Sequence, residues 1–543
     1  MTPLSFETQR LAGPGGLVAD ILNGNPEALR LFPPAGLDAK VAPVVPDPAA
    51  ECRIPNQAFV RVTAPGRERL GRIIAGEGIV VSTGQQPQLF GGPLYVLYKA
   101  LTAVQTASVI EDQLDRPCLA VFWVSGDDHD WREVASIGLL DREERWRRLA
   151  IAPIEERAGR SVGPSPLPED IGEITRQFCD SMELRDAGDL WIDSLLDSYR
   201  SGRTFSEAFV EVVSGWLAEW PIAFVDSAHP DLRRAAGPFF RTVLENHESV
   251  DGALAAGTSS VTELGYRPQL TYLKNAVPVF RDTDQGRSRL YGAGASIRIG
   301  REGESRPLGE ILADIASDPT PYSPSAALRP ALESWLLPVA ATVLGPGEIA
   351  YWSQLSLTFD LLGVSMPVIR PRRSWCVLEP RVSRLLEKTG VDPEDLSDGG
   401  TAAVAGLVER SRPRAVEEAL LQLEDRVEEE FRLLENTVGT DLPGLRSAVG
   451  KSRSQAFAGL AGFRRTLDSA TRNREKTAVA QLRRAANNLF PDGTPQERAL
   501  SVYVYLARHG DSFLQSAWDA TLSGTPEVAS GEAGGVAGTT AEE

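Results

Sequence analysis

Four short apolar runs alternate with amphipathic segments along the first two thirds of the chain. The runs are rich in Val, Ile and Phe without polar alternation, which is typical of strands buried on both faces of a parallel sheet. They lie at 79–83, 119–124, 221–226 and 366–370. The amphipathic segments lie at 93–112, 205–218 and 230–245. This alternation predicts a doubly wound α/β domain.

A different hydrophobic period begins after Glu379. Apolar residues then recur at spacings of three and four, which is the heptad seam of a coiled coil. The seam residues are Val416, Leu420, Leu423, Val427, Phe431, Leu434 and Val438. A second segment, 444–487, repeats the spacing after a Gly- and Pro-containing turn at 439–444. We expect an antiparallel helical hairpin, although ordinary helices packed on the main domain would show a similar pattern.

These patterns divide the chain into four regions. We expect an α/β core with inserted subdomains, a coiled-coil domain, helices that return to the core, and a Gly/Ala/Thr-rich disordered tail. Their predicted bounds are 1–378 (insertions at about 131–365), 379–487, 488–522 and 523–543.

Composition narrows the functional classes. The formal net charge of -18 argues against nucleic-acid binding, because phosphate backbones require a surplus of Lys and Arg. The N-terminus has no basic and apolar pattern of a secretory signal, and no run of roughly 20 apolar residues could span a membrane. The four cysteines form no CxxC pair, so structural zinc and disulfides are not expected. We predict a cytoplasmic protein.

Polar residues follow each predicted strand, and parallel strands would bring them to one edge of the sheet. The first group is Thr83, Gly84, Gln85 and Gln86, in the stretch "STGQQPQLFGGP". Amides there could bind a carboxylate or hydroxyl, and the next helix start could attract an anion. A Gly-rich turn with solvated amides is the alternative. Tyr98 and Lys99 lie on that helix, with Lys99 facing either solvent or the crevice.

The second predicted strand ends in "SGDDHDW". Asp127, Asp128 and Asp130 surround His129, an arrangement expected to raise the histidine pKa and orient the ring as a general base. The same residues could bind a divalent metal or form a solvated acidic loop. With four histidines in the chain, a His-rich metal site is not expected.

Two later stretches add further candidates for substrate binding. They are Glu348, Tyr351, Arg370, Arg372 and Ser374. Arginines just beyond a strand can bind a carboxylate or phosphate through two hydrogen bonds.

Several long motifs together resemble the bacillithiol biosynthesis cysteine-adding enzyme family. They are "TGQQPQLFGGPLYVLYKALTAV", "FWVSGDDHDWREV", "GPGEIAYW", "MPVIRPRRSWCVLEP" and "LFPDGTPQERAL", in family order from about residue 80 to 510. Asp127 stands where the family usually has Glu, and Gln88 where it often has a small residue. The resemblance implies an α/β fold with a Rossmann-like parallel-sheet core, inserted subdomains and a C-terminal helical coiled-coil hairpin that forms a homodimer.

The resemblance also implies the last step of bacillithiol synthesis, in which L-cysteine is joined to the amine of glucosaminyl-malate. Amide formation needs an activated carboxyl group, so ATP or another nucleotide is expected. In this hypothesis His129 deprotonates the ammonium, Asp128 and Asp130 orient the imidazole, Gln85 and Gln86 hold sugar hydroxyls or the malyl group, and Arg370 or Arg372 binds a carboxylate. Two other hypotheses are a metal-dependent hydrolase using the Asp-Asp-His-Asp cluster and a non-catalytic coiled-coil assembly module.

Overall fold

The computed structural model describes residues 5–8, 16–33, 51–152 and 159–523. The predicted disordered tail therefore lies outside the described residues, apart from Ser523. The chain folds as two compact units. Of the described residues, the smaller unit contains those within Glu143–Trp146 and Leu378–Gln496, and the larger one contains those within Phe6–Arg142, Arg147–Val377 and 497–523.

The β-strands are numbered in chain order. They are β1 (Ser5–Thr8), β2 (Phe59–Val62), β3 (Ile79–Gln85), β4 (Cys118–Val124), β5 (Ser136–Leu140), β6 (Trp146–Ala150), β7 (Ile222–Asp226), β8 (Ala276–Thr283), β9 (Gly286–Ala293), β10 (Ser296–Ile299), β11 (Ser305–Pro307), β12 (Tyr322–Pro324), β13 (Val339–Leu344), β14 (Val368–Pro371) and β15 (Trp375–Leu378).

The α-helices are numbered in the same way. The first eleven are α1 (Gly16–Leu22), α2 (Pro26–Leu29), α3 (Arg67–Ile74), α4 (Leu94–Leu114), α5 (Trp131–Val134), α6 (Ile171–Ser181), α7 (Asp189–Ser198), α8 (Phe205–Trp216), α9 (Pro230–Glu245), α10 (His247–Glu263) and α11 (Leu308–Ser317). The others are α12 (Arg329–Leu336), α13 (Pro346–Trp352), α14 (Ser356–Leu361), α15 (Pro380–Thr389), α16 (Thr401–Arg410), α17 (Arg414–Asp441), α18 (Arg446–Arg474), α19 (Lys476–Leu489), α20 (Gln496–Ala499), α21 (Tyr503–His509) and α22 (Asp511–Ser523).

The larger unit is built on a six-stranded sheet in the order β14-β13-β3-β4-β7-β2. The first five strands in this order run parallel, and β2 is antiparallel to β7 at the edge. All four predicted strands are therefore confirmed, and the predicted helices between them correspond to α4, α8 and α9. Every residue of β4 and β7 is buried, which explains the apolar sequence of β4 and of β7 up to Asp226.

The order of the five parallel strands places a crevice at one point of the sheet. Numbered along the chain, they are arranged 3-2-1-4-5, so the connections leave in opposite directions between β3 and β13. Ligands of open α/β sheets bind beyond the carboxyl ends of the strands at such a switch point. We therefore expect the ligand-binding crevice beside the residues that follow β3, β4 and β13.

The long predicted insertion carries a second sheet. It has five strands in the order β11-β10-β9-β8-β12, with antiparallel pairing throughout. Its buried face contributes Val277, Val279, Leu290 and Ile297 to the same hydrophobic core as β4 and β7 of the central sheet. The opposite face of β9 carries Arg287, which contacts Asp127 and His129 in the loop after β4.

The smaller unit contains the helical hairpin. Arg412 contacts Asp468 at 2.8 Å and Arg464 contacts Glu417 at 3.0 Å, while Arg453 pairs with Glu428, so α17 and α18 run antiparallel. The predicted second helix, 444–487, is divided at Glu475 into α18 and α19. Two seam residues, Leu423 and Leu434, remain 46% exposed after the two helices pack.

Candidate active site

The ends of three central strands lie in one row. Gln85 on β3 is in register with Val124 on β4, and Val124 is in register with Asp226 on β7. Backbone hydrogen bonds then tie the following loops together, because Ser125 donates to Gln85 and Ser227 donates to Val124, both at 2.9 Å. The convergence of polar groups predicted from the sequence is confirmed here for these three strands.

Lys99 faces the strand ends and is only 1% exposed. Its ammonium donates to the Gly84 carbonyl at 2.5 Å and to Gln85 Oε1 at 3.3 Å, and it forms an ion pair with Glu348 at 2.6 Å. Burial lowers the pKa of Lys99, and Glu348 opposes that shift. Lys99 therefore fixes the backbone and the amide at the end of β3.

Glu348 and Tyr351 belong to a buried charged cluster at the switch point. Arg329, which the sequence did not indicate, donates to the Tyr351 hydroxyl at 2.6 Å and lies 3.8 Å from Glu348. Glu333 lies 3.9 Å from Arg329, and burial raises the pKa of Glu333 to about 7. Helices α12 and α13 thus bring two carboxylates and a guanidinium beside Lys99.

Asp127 is held in a buried ion pair. Its carboxylate lies 3.4 Å from Arg287 on β9, and both side chains are 5% exposed. The Ser227 hydroxyl donates to the other carboxylate oxygen. Arg287 also donates to Ser323 Oγ at 2.9 Å, so it ties the loop after β4 to the second sheet.

Asp128 organises the loop and contacts a predicted substrate-binding residue. Its Oδ2 accepts from Gln86 Nε2 at 2.8 Å, and its Oδ1 accepts from the backbone N–H of His129 at 2.6 Å. Burial acts to raise the pKa of Asp128, but Gln86 and Arg287 hold it below its usual value. Asp130 accepts from the backbone of Arg132 at 3.0 Å and caps α5, and its predicted role in orienting the imidazole stays a prediction.

The pKa of His129 is lowered, in contrast to the rise expected from its acidic neighbours. Burial contributes most, Arg287 adds to it, and Asp128 and Asp130 only partly compensate. Nδ1 lies 3.4 Å from Arg287 and 3.6 Å from Asp128 Oδ1, and the side chain is 44% exposed. An imidazole that is neutral at neutral pH and accessible at the crevice can accept a proton.

Glu133 is a further titratable group that the sequence prediction missed. It is the third residue after the cap Asp130, and its carboxylate lies 3.5 Å from Gln85 Nε2. Burial, with Asp128 and Asp130 nearby, raises the pKa of Glu133 to about 7. Glu133 could have been predicted from its place in the first helical turn after "SGDDHD". The third residue of a helix lies close to the residue that caps the helix N-terminus.

The predicted anion site at the start of α4 is not supported. Gly91 and Gly92 adopt left-handed conformations with φ of 78° and 81°, as a tight turn requires. However, the N–H of Leu94 donates to the Leu500 carbonyl at 3.0 Å, and that of Gly91 donates to the Tyr199 hydroxyl at 3.3 Å. The helix start is buried by other parts of the larger unit, so these residues do not fit a nucleotide phosphate.

Arg372 and Ser374 lie in a separate buried cluster around Glu497. Arg372 makes two hydrogen bonds to this carboxylate at 2.7 and 2.5 Å, and Ser374 donates to it at 2.6 Å. Tyr98 packs edge-on against Trp375 nearby, with 5.0 Å between ring centroids. Substrate contacts by these residues remain a prediction.

The remaining candidates are Thr83 and Arg370, which lie within the sheet. The Thr83 hydroxyl donates to the Val343 carbonyl at 3.0 Å, joining β3 to β13. Arg370 is half-buried on β14, in register with Val343. Their substrate contacts also remain predictions.

Two further properties bear on the hypotheses for the described part of the chain. It contains no group of three or more His, Cys, Asp or Glu side chains placed to hold a metal ion. The three aspartates of the loop do not converge on one point, because each contacts a different partner. Asp127 pairs with Arg287, Asp128 accepts from Gln86, and Asp130 caps α5. No helix within the same ranges is both long enough and apolar enough to cross a bilayer.

The fold and the site define an α/β protein of the Rossmann-like class, with a strand-end crevice and a helical coiled-coil unit. Residues 60–373 match the family model described as "Bacillithiol biosynthesis BshC, N-terminal Rossmann-like domain". Residues 375–527 match "Bacillithiol biosynthesis BshC, C-terminal coiled-coil domain". The chain belongs to the bacillithiol biosynthesis BshC family.

Similar curated proteins are named "Putative cysteine ligase BshC". The protein of Salinibacter ruber is 28% identical, with 81% of this chain and 80% of the relative aligned. That of Symbiobacterium thermophilum is 29% identical over 81% of both chains. That of Exiguobacterium sibiricum is 30% identical over 83% of both chains.

Proposed function

We propose that this protein is a cysteine ligase that joins the carboxyl group of L-cysteine to the amine of glucosaminyl-malate. The product is bacillithiol, and the step is the last of its synthesis in the cytoplasm. Membership of the family and the names of the relatives support this class of reaction. The chemistry requires a group that takes a proton from the ammonium, since only the free amine is a nucleophile.

One observation in the crevice carries the proposal. Gln86 is 7% exposed, its Nε2 donates to Asp128, and its Oε1 is buried without a hydrogen-bond partner among the described residues. A buried acceptor of this kind is completed by a donor, and the amine and hydroxyls of a glucosamine are donors. We assign Gln86 Oε1 to a sugar hydroxyl or to the amine.

His129 is the proposed base. Its side chain is 44% exposed at the crevice, and the ring nitrogen that carries no hydrogen in the neutral imidazole takes the proton from the ammonium. Gln85 has a supporting role, because its amide oxygen accepts from Lys99 and its Nε2 lies near Glu133. Activation of the cysteine carboxyl is the chemistry that ATP or another nucleotide would supply, and we derive no step through it.

Product formation tests the proposal. Purified protein should convert glucosaminyl-malate, L-cysteine and a nucleotide to bacillithiol, detected by mass spectrometry after thiol derivatisation. The absence of product with ATP, GTP, CTP and UTP would contradict the proposal.

Gln86→Ala tests the assigned contact. It should lower kcat/KM about 5- to 150-fold when glucosaminyl-malate is varied, because a substrate donor then lacks its acceptor. The change should be much smaller when cysteine is varied. Equal effects on both substrates would place the Gln86 amide elsewhere.

A further inference from the structure

The polar face of the second sheet carries two arginines on one aromatic ring. Arg287 and Arg289 alternate onto the same face of β9, and Phe280 on β8 is in register with Arg289. The guanidinium carbons of Arg287 and Arg289 lie 4.2 and 4.7 Å from the centroid of the Phe280 ring. The ring lies 6.1 Å from the imidazole of His129. This face therefore adjoins the candidate active site.

The two arginines differ in how their charges are compensated. Arg287 has Asp127 as its counterion and donates to Ser323 and Pro324. Arg289 is half-buried, and its guanidinium makes no ion pair or hydrogen bond with any described residue. Burial and the neighbouring Arg287 and Arg301 lower the pKa of Arg289. Since an uncompensated, partly buried cation is unfavourable, an anion bound beside Arg289 would be stabilised.

A second unpaired group lines the same cavity as Arg289. Ser325 is 7% exposed, and its hydroxyl has no hydrogen-bond partner among the described residues. The cavity has a volume of about 50 Å³, and its walls include Pro278, Ala327 and Leu254. That volume exceeds the roughly 10–15 Å³ that one water needs and suits a small oxyanion. Ser325 directly follows Pro324, whose carbonyl accepts from Arg287.

We propose that Arg289 and Ser325 form a binding site for an oxyanion of the substrate, a carboxylate or phosphoryl group, beside the His129 crevice. The planar guanidinium of Arg289, which lies over the Phe280 ring, has parallel N–H donors that match the two oxygens of such a group. Ser325 supplies a third donor from the cavity wall. The identity of the substrate rests on the proposed ligase function: the malyl carboxylates of glucosaminyl-malate and the phosphates of a nucleotide share this chemistry.

Calorimetric titration of the full-length protein tests the site. The probes are L-malate, glucosaminyl-malate and ATP, each titrated separately into wild type, Arg289→Gln and Ser325→Ala. Arg289→Gln should weaken binding of at least one probe about 10- to 100-fold, because a charge-assisted pair of hydrogen bonds is lost. Ser325→Ala should weaken the same probe by a smaller factor. Arg241→Gln, which removes a surface arginine of α9, is the matched control and should bind as wild type does.

The pattern of losses identifies the source of the anion. Loss confined to L-malate and glucosaminyl-malate assigns the site to the malyl group, and loss confined to ATP assigns it to a nucleotide. Arg289→Lys is a control for misfolding. It keeps the positive charge but not the paired donors, so its affinity for the probe should lie between those of wild type and Arg289→Gln.

Unchanged binding of all three probes by folded Arg289→Gln and Ser325→Ala would overturn the site, as would a wild type that binds none of them. Arg289-dependent binding in an enzyme that forms no bacillithiol would instead refute the proposed ligase function and leave the site standing.

Discussion

Asp127 and Asp128 are neighbours in the chain, yet their carboxylates are in different environments. Asp127 and its partner Arg287 are buried, whereas the Asp128 side chain is 39% exposed at the crevice. Asp127→Asn should lower the free energy of unfolding by about 3 kcal/mol, because the Arg287 charge stays buried without its counterion. Asp128→Asn keeps an oxygen that accepts from the backbone donors. It should therefore change the free energy of unfolding by less than about 1 kcal/mol while reducing kcat/KM.

Urea unfolding of both variants checks this contrast. A large loss of stability in Asp128→Asn, equal to that in Asp127→Asn, would show that the whole acidic loop is structural.

The pH dependence of activity distinguishes the two candidate bases. A base must be deprotonated to act, so kcat/KM should rise with pH through the pKa of the group that accepts the proton. Because burial and Arg287 lower the pKa of His129, we predict a rising limb with its midpoint below 6.5. Glu133→Gln should leave that limb in place. A limb near pH 7 that disappears in Glu133→Gln would assign the role to Glu133 instead.

At the scale of the elements, the close approach of β3 and β4 depends on Gly84. A β-carbon there would lie 2.6 Å from the Trp123 carbonyl oxygen, which belongs to the backbone and cannot move aside easily. Gly84→Ala should therefore destabilise the protein by about 1–3 kcal/mol and shift Gln85 and Gln86.

Gly71→Ala is the control for this substitution. Gly71 lies in α3, and a β-carbon added there would meet no heavy atom within 4 Å, so alanine should stabilise the helix by about 0.5–1 kcal/mol. Thermal unfolding of both variants gives the comparison. A Gly84→Ala protein as stable as wild type would show that the strands can separate at no cost.

The helical hairpin leaves an apolar stripe that a second copy of the chain would cover. Leu423 and Leu434 are both 46% exposed after α17 and α18 have packed. We predict a homodimer through this seam, dissociated by Leu423→Lys combined with Phe431→Lys, as measured by light scattering. Leu421→Lys changes an equally exposed leucine outside the seam and should stay dimeric. A wild-type monomer at micromolar concentration would contradict this assembly.

At the scale of the whole molecule, the sequence predicted the elements with unbroken patterns. The four strands and the heptad seam were found because burial on two faces and coiled-coil packing impose a regular apolar spacing. Strand β13 was missed, because "VAATVL" is short and contains alanines that favour helices. The second sheet was missed because its polar face interrupts the apolar residues.

Less of the candidate site than of the fold could be predicted from sequence patterns. The groups attached to predicted strand ends, Gln86 and His129, could be located from sequence alone. Arg287 and Arg329 could not, because they come from the second sheet and from α12, and only the tertiary fold brings them to the crevice. Burial of the ring and the charge of Arg287 also decide the direction of the His129 pKa, which local sequence predicted wrongly.

The bond that the protein is proposed to form can be observed directly. L-cysteine labelled with ¹³C in its carboxyl group and glucosaminyl-malate labelled with ¹⁵N in its amine would be incubated with the protein and a nucleotide. We predict a one-bond ¹³C–¹⁵N coupling in the product of the wild type and its loss in a folded His129→Gln, Glu133→Gln double variant. Absence of the coupling with every nucleotide, or an undiminished coupling in the double variant, would contradict amide formation at this crevice.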